Sequence, residues 1–487
     1  MKHLIAAFIV VAALAPSIAA QNAAGVIGAS SAAMGADRLN TMEFSGSGYD
    51  FTLGQAYSPT SPWPKFMVKS FTRAVDFRTP ASRTDRIRMQ AENPPRGGGQ
   101  QPVRGEQPQN QTIIVNAYTP WAQQLEIVMT PYGFLKAAAA NNATTKSQTA
   151  GGKKYTVVTF TGQNKASVNG YINDQNLVER VETWIDNPYL GDMQWEGLYS
   201  DYRDFGGIKF PMHIVQRQGG YPILDITVSD VKPNAAVSIQ PQGRGGAPAA
   251  APPAPAAAQA GAVPSEKLGD GVYLILGGYA CIAVDFKDYI VVLEGPQSEE
   301  RAMAVITEAK RLIPNKPIKY VVNTHHHIDH AGGLRTFIAE GATIVTQEIN
   351  KPYFEKIAGL PHTLNPDRLA RAPRRPSFET FSDKKVLTDG NHVIELHHMR
   401  GNGHNAGLVM AYLPKEKVLF EADAYNPPAQ PNAPVATPVS PYTANLVETM
   451  NRLKLDVQTI IPVHYAADNR KITLAELMRV VQPPSTN

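Results

Sequence analysis

The chain has 487 residues, 43% of them hydrophobic, which asks for two or three packed domains rather than one. Its net charge of +4 comes from basic residues scattered along the sequence, without a stripe interleaved by aromatics, so nucleic acid is not an expected partner. The single cysteine, Cys281, rules out an intrachain disulfide framework and lies in an apolar run, Ala280 to Val284, where it reads as a small buried hydrophobe.

Lys2 and His3 precede an apolar run from Leu4 to Leu14, and Ser17-Ile18-Ala19-Ala20 follows before Gln21. Residues 1–20 therefore read as a secretory signal whose apolar core is too short to span a bilayer. No other stretch is long and apolar enough to cross a membrane, and no lipid-bearing cysteine follows the leader. A periplasmic protein with neither a transmembrane segment nor a lipid anchor is the expectation. Residues 21–44, with the small, polar Asn22 to Thr41 at their heart, are expected to form a disordered lead.

Residues 45–234 have the rhythm of an antiparallel β-rich domain. Thr112 to Ala117, Tyr155 to Phe160, Ala166 to Ile172 and Leu177 to Ile185 read as strands. Tyr199 to Phe205, Ile208 to Gln216 and Leu224 to Val231 continue the pattern, with tight turns at Gly206-Gly207 and Gly219-Gly220. Pro94 to Gln111, rich in Gly, Pro and Gln, is expected to be a mobile loop. The run Asp201-Tyr202-Arg203-Asp204-Phe205-Gly206-Gly207-Ile208-Lys209-Phe210-Pro211 and its meander resemble the periplasmic carriers of outer-membrane lipoproteins. That resemblance implies a curved sheet over an apolar cavity and lipid or protein contact, with a plain scaffold as the alternative. Nothing between Phe51 and Val231 groups a nucleophile, a base and metal ligands; His213 reads as a strand residue.

Residues 235–264 are nearly all Ala, Pro and Gly from Pro241 on, the composition of an extended spacer. Residues 265–487 then alternate strands and helices, the pattern of a layered α/β domain. Gly271 to Leu276, Ala280 to Phe286 and Tyr289 to Glu294 read as strands, and Ser298 caps a helix whose apolar face holds Ala302, Val305, Ile306 and Ala309.

The strand Ile318 to Asn323 delivers Thr324-His325-His326-His327-Ile328-Asp329-His330-Ala331-Gly332-Gly333, and the helix Leu334 to Ala339, closed by Gly341, follows. His325 and His327, two apart on extended chain, point the same way and can clasp one ion. Asp329 and His330 come after the chain turns and face a second position beside the first.

His325-x-His327-x-Asp329-His330 resembles the signature of the metallo-β-lactamase superfamily, a fold of two β-sheets between helices that usually carries a two-metal hydrolytic site. The resemblance implies further ligands at later strand ends. His404, in a glycine-punctuated loop after the strand His392 to His398, is where it places the third ligand of the first metal. Asp423, after the strand Val418 to Glu421, is where an aspartate bridges both ions in many of its hydrolases. His464, after Thr459 to Val463, is where it places the last ligand of the second metal. Three departures from the family pattern bear on subgroup and substrate: Ala422 stands where glycine is common, Glu294 where a strand-end aspartate is common, and Tyr465 where a small residue is usual. His326 is an extra histidine expected to point away from the metals. A helix with Thr473 and Glu476 as a capping box closes the domain.

Imidazoles and carboxylates with open positions suit two Zn²⁺ ions, which give a hydroxide nucleophile near neutral pH. Asp329 is expected to ligate the second ion and orient that hydroxide, the catalytic role. Tyr425 is expected to pack, with donation to an oxyanion as the alternative. The expected activity is hydrolysis of a small-molecule ester, thioester, lactone or amide. Competing readings are a β-lactamase with an all-histidine first site, an iron oxidoreductase or dioxygenase of the same fold, and a carrier without activity. The loops Pro352 to Pro376 and Asn426 to Pro441 are expected to wall the substrate pocket.

Overall fold

The alternation of large and polar residues between Thr41 and Pro233 produces one antiparallel sheet. It is seen in a computed structural model that describes residues 18–92, 96–98, 105–116, 118–240, 263–431 and 438–481. Sequence neighbours pair except for Gln107–Ile114 and Thr144–Ala150, and the first strand, Thr41–Phe51, also pairs with the last, Tyr221–Pro233. The sheet thus runs through eleven described strands from one edge, Gln107–Ile114, to the other, Thr144–Ala150. The strands Lys153–Thr161, Ser167–Ile172, Val178–Asn187, Gly191–Asp204 and Lys209–Gln218 overlap the spans the alternation expects, and all but Ser167–Ile172 run beyond them at one end or both.

Three helices fill the inner face of this sheet: Ile18–Met34, Trp121–Val128 and Pro131–Ala140. The first corrects the expectation of a disordered lead over residues 21–44. Ala23, Ile27, Ser30 and Met34 recur at helical spacing and are all buried, with Ser30 Oγ donating to the Asn176 carbonyl at 2.9 Å. Only two of these four are large and apolar, so the stripe is faint in the sequence; small side chains bring this helix close to its neighbours. Most of the expected leader, residues 1–17, lies outside the described residues. Thr130 caps the third helix by accepting from Gly133 N, with Pro131 in its first turn. Gly170 lets that helix sit close, since a Cβ there would lie 2.1 Å from the Phe134 ring. The cavity left among Phe44, Phe71, Tyr132 and Phe210 is about 30 Å³, room for a water or two.

The expected loop Pro94 to Gln111 is also corrected in part. Gln107–Ile114 is an edge strand paired with Ala81–Gln90, and Arg86 Nε donates to Gln109 Oε1 across the pair at 2.8 Å. Backbone pairing and arginine partners hold a segment that has almost nothing to bury. Residues 93–95 and 99–104, residue 117 and most of the expected spacer, 241–262, lie outside the described residues.

The second half has two facing sheets. One runs Ser265–Gly269, Val272–Ile275, Cys281–Asp285, Ile290–Leu293, Ile318–Val322, Thr343–Gln347 and Ser377–Phe381, parallel from Ile290–Leu293 onward. The other runs Lys384–Thr388, Val393–His398, Val409–Leu413, Val418–Glu421, Thr459–Pro462 and Ile472–Thr473, with Val418–Glu421 parallel to Thr459–Pro462. Val291, Leu293, Leu396, Val409, Phe420 and Ile461 pack between the sheets. Glu299–Leu312, Leu334–Glu340 and Lys351–Ala358 cover the outside of the first, and Pro441–Leu453 and Leu474–Val481 that of the second. The central strands are buried on both faces and so read as unbroken apolar runs. Residues 351–358 correct the reading of Pro352 to Pro376 as a loop: Pro352 occupies the first helical turn, and Phe354 and Ile357 bury into the layer beneath. Residues 432–437 of the other expected pocket loop lie outside the described residues.

The two halves touch through polar contacts. Tyr189 Oη donates to the His326 carbonyl at 2.8 Å, and Asp192 accepts from the backbone N–H of Thr363 and Leu364 at 2.8 and 3.0 Å. Burial alone would push the Asp192 carboxyl up; the Thr363 hydroxyl, which also donates to it, and then these backbone N–H groups outweigh burial and hold the group below the usual carboxylate range.

If the first helix is part of the core as described, Met34→Ala lowers stability by about 2–5 kcal/mol. Urea unfolding checks this, and an unchanged midpoint would return residues 21–34 to a lead outside the fold.

Candidate metal centre

Strands that run parallel end at one rim of the two sheets, and the chemistry sits at those ends. Glu294 follows Ile290–Leu293, the histidine cluster follows Ile318–Val322, Asp423 follows Val418–Glu421 and His464 follows Thr459–Pro462. His404 lies in the turn between Val393–His398 and Val409–Leu413. All seven expected ligands meet. His325, His327 and His404 form one group, His325, His330 and Asp423 a second, and Asp329, His330 and His464 a third, with the donor atoms of each group within 4.8 Å of one another.

Asp423 joins the groups. Its Oδ2 lies 2.7 Å from His330 Nε2, 3.3 Å from His404 Nε2 and 3.4 Å from His325 Nε2, while its Oδ1 lies 3.0 Å from His464 Nε2. The backbone at Asp423 is left-handed, φ 59°, a conformation aspartate tolerates better than most residues. Glu421 closes that turn by accepting from the N–H groups of Ala424 and Tyr425 at 3.0 and 3.1 Å. Full burial pushes the Glu421 carboxyl up to about 8.

Which nitrogen each imidazole presents follows from its other contact. His330 Nδ1–H donates to Glu294 Oε2 at 3.0 Å, which leaves Nε2 for the cluster. The Thr324 hydroxyl gives its one hydrogen to Glu294 Oε2 at 2.6 Å and so accepts from His325 Nδ1–H at 3.1 Å, which again leaves Nε2. His325 Nε2 and His404 Nε2 then stand 3.1 Å apart. His327 differs: its Nε2–H donates to the Ala56 carbonyl at 2.8 Å, and its buried Nδ1 meets no hydrogen-bond partner among the described residues. Imidazole nitrogens this close together, with a buried His327 Nδ1 that meets no partner among the described residues, suit a site shaped for cations.

Charge gives the same answer. Burial, then the neighbouring imidazoles, hold His325 and His327 well below the usual histidine range, so both are neutral and able to ligate. Burial opposes the charged forms of His330, Asp329 and Asp423 alike; their mutual attraction wins, raising His330 and lowering both carboxyls. A buried carboxylate, Asp423, and a half-buried one, Asp329, therefore suit positive charge between them. Five imidazoles and two carboxylates form a nitrogen and oxygen donor set that suits a binuclear site for borderline divalent ions.

The rim opens at Asp329 and His464, whose side chains are 25% and 11% exposed while the other five ligands are buried. Tyr279 stands there, its Oη donating to Asp329 Oδ2 at 3.0 Å and its ring 4.7 Å from that of His464. Tyr425 packs in the layer beneath the second sheet. His326 belongs to none of the ligand groups; Asn405 Nδ2 lies 3.0 Å from its Nδ1, and burial pushes it down to about 3. Cys281 is buried, and burial pushes its thiol up to about 12, which suits packing and not ligation. Sequence reasoning missed Glu294 and Tyr279 as functional residues. Glu294 was visible as an acidic residue ending an apolar strand; Tyr279, beside Gly277-Gly278, gave no signal.

Comparison with known proteins bears on the second half alone. The model for the metallo-beta-lactamase superfamily matches residues 292–464. Solved structures similar to the chain include a metallo-beta-lactamase from Pontibacter korlensis, 19% identical, spanning 45% of this chain and 97% of that one at a TM-score of 0.34. Another is a metallo beta lactamase from Hirschia baltica, 18% identical over 45% of this chain and 96% of that one, also at 0.34. No curated protein sequence matches. The N-terminal sheet is left without a family, whereas residues 292–464 are a domain of the metallo-beta-lactamase superfamily.

Proposed function

We propose that the protein is a secreted di-zinc hydrolase that cleaves a small ester, thioester, lactone or amide. The observation that carries this reading is Asp423, a buried carboxylate within hydrogen-bond distance of His330 and His464 and close to His325 and His404. His325 Nε2, His327 Nδ1 and His404 Nε2 would hold one ion. Asp329 Oδ2, His330 Nε2 and His464 Nε2 would hold the other, with Asp423 between them. Ions bound there supply Lewis acidity toward a substrate carbonyl and bring the pKa of water down to about 7. The remaining work belongs to the chain's own side chains. Asp329, the most exposed ligand, faces the entrance, where it can orient an attacking water. Burial, then the Asp329 carboxylate, holds the Tyr279 hydroxyl far above the usual phenol range, so it stays protonated and keeps its one hydrogen on Asp329 at the entrance. The apolar run Leu4 to Leu14 supports secretion, with the periplasm as the compartment.

Purified full-length protein is expected to carry about two zinc ions, lose hydrolysis on chelation and recover it with zinc. A panel of esters, thioesters, lactones, amides, phosphodiesters and β-lactams identifies the substrate class. Opening of a chromogenic β-lactam would move the reading to a β-lactamase, and iron taken up in preference to zinc would move it to a redox enzyme. Failure to bind any metal overturns it.

Glu294→Gln places an amide where His330 and Thr324 both donate, so the imidazoles can turn the wrong nitrogen to the cluster. Zinc affinity is expected to fall about 10–100-fold, measured by competition with a chromophoric chelator, and unchanged affinity would remove Glu294 from the centre.

A further inference from the structure

We infer that the segment 54–57 of the N-terminal domain is a built part of the metal centre, with Gln55 as a positioning residue for Asp329. This rests on the two-metal reading above.

Consecutive residues of the segment reach one ligand from each end of the cluster. Gln55 Nε2 donates to Asp329 Oδ1 at 2.9 Å, and Asp329 Oδ2, held at 3.0 Å by Tyr279, is left to face His330 Nε2 at 3.4 Å and His464 Nε2 at 3.6 Å. The next residue, Ala56, offers its carbonyl to His327 Nε2–H at 2.8 Å and so presents His327 Nδ1 to the other group. Asp329 is the only ligand of the set with a quarter of its side chain in solvent, so it has the most freedom to swing. A carboxylate fixed at both oxygens loses that freedom before any ion arrives.

The segment cannot drift without disturbing the ligand loops. The Gly54 carbonyl accepts from Ile328 N at 3.3 Å, and the Tyr57 carbonyl accepts from Ala406 N at 2.7 Å. The Gln55 carbonyl accepts from Gly98 N at 2.9 Å, while Gly97 N donates to the Gly403 carbonyl at 2.9 Å. Gly97 has φ +67°, and a Cβ there would lie 2.5 Å from the Gln55 carbonyl oxygen, so the two N-terminal segments are fitted to each other over the His404 loop. Ordinary packing between domains does not require two successive residues to meet the outer atoms of two metal ligands.

The test uses the full chain, zinc ions and a chromophoric chelator, with Co²⁺ absorption as a second readout. Gln55→Leu, and Gln55→Met as a closer match in shape, remove the donor and keep the bulk. Wild type should bind two ions; both variants should keep one at wild-type affinity, hold the other about 10–100-fold more weakly and show an altered cobalt spectrum. Their chelated forms should unfold at the wild-type midpoint. Asp192→Asn loosens the same interface away from the centre and should leave both ions in place. Gln55 variants that hold both ions as tightly as wild type overturn the inference, and so does an equal loss in Asp192→Asn. Wild type that binds no zinc overturns the two-metal reading itself, and this inference with it.

Discussion

A carboxylate with no exposed surface is tolerated in a protein interior only when its oxygens are met by donors. Glu294 is such a group, and the metal centre is arranged around meeting it. Asn323, Thr324, Gly295 and His330 all turn donors toward its two oxygens. In doing so they fix the end of the strand Ile318–Val322, the tautomer of His330 and, through one threonine hydroxyl, the tautomer of His325. The left-handed backbone at Glu294, φ 83°, is the local strain that aims its side chain inward. Glycine here would relieve that strain and leave two imidazoles free to present either nitrogen.

The sequence made the centre legible because its ligands sit where strand patterns stop. His325, His327, Asp329 and His330 crowd one strand end, and resemblance pointed to His404, Asp423 and His464 at three more, which the fold then brings to one rim. What escaped was whatever depends on another part of the chain. Tyr279 looks like any strand-edge aromatic until the sheets face each other. Gln55 and Ala56 carry no motif, and only tertiary structure sets them beside His327 and Asp329. The helix Ile18–Met34 was missed for a different reason: with alanine, serine and glycine on most positions, its buried stripe has too few large side chains to stand out. The strand Gln107–Ile114 was expected only from Thr112 on, because glutamine and asparagine fill its first part without signalling an edge strand.

Treating the halves as catalyst and appendage therefore misstates the architecture. The superfamily match covers the sheets that present the ligands, and the N-terminal sheet supplies a loop that meets two of those ligands from outside. Its inner face is closed by helices, and the loop after Thr41–Phe51 reaches the rim, at residues that neither domain's own core would require.

Gln55 and Asp329 are 274 residues apart in sequence, and His330 and His464 a further 134. Contacts that span so much chain form late, because loop entropy must be surrendered before they contribute anything. During synthesis the loop that braces the centre is made long before His464 and waits for it. The native cradle thus cannot be complete until His464 has been made and brought to the rim, which places any cation capture after the strands that carry the ligands have paired.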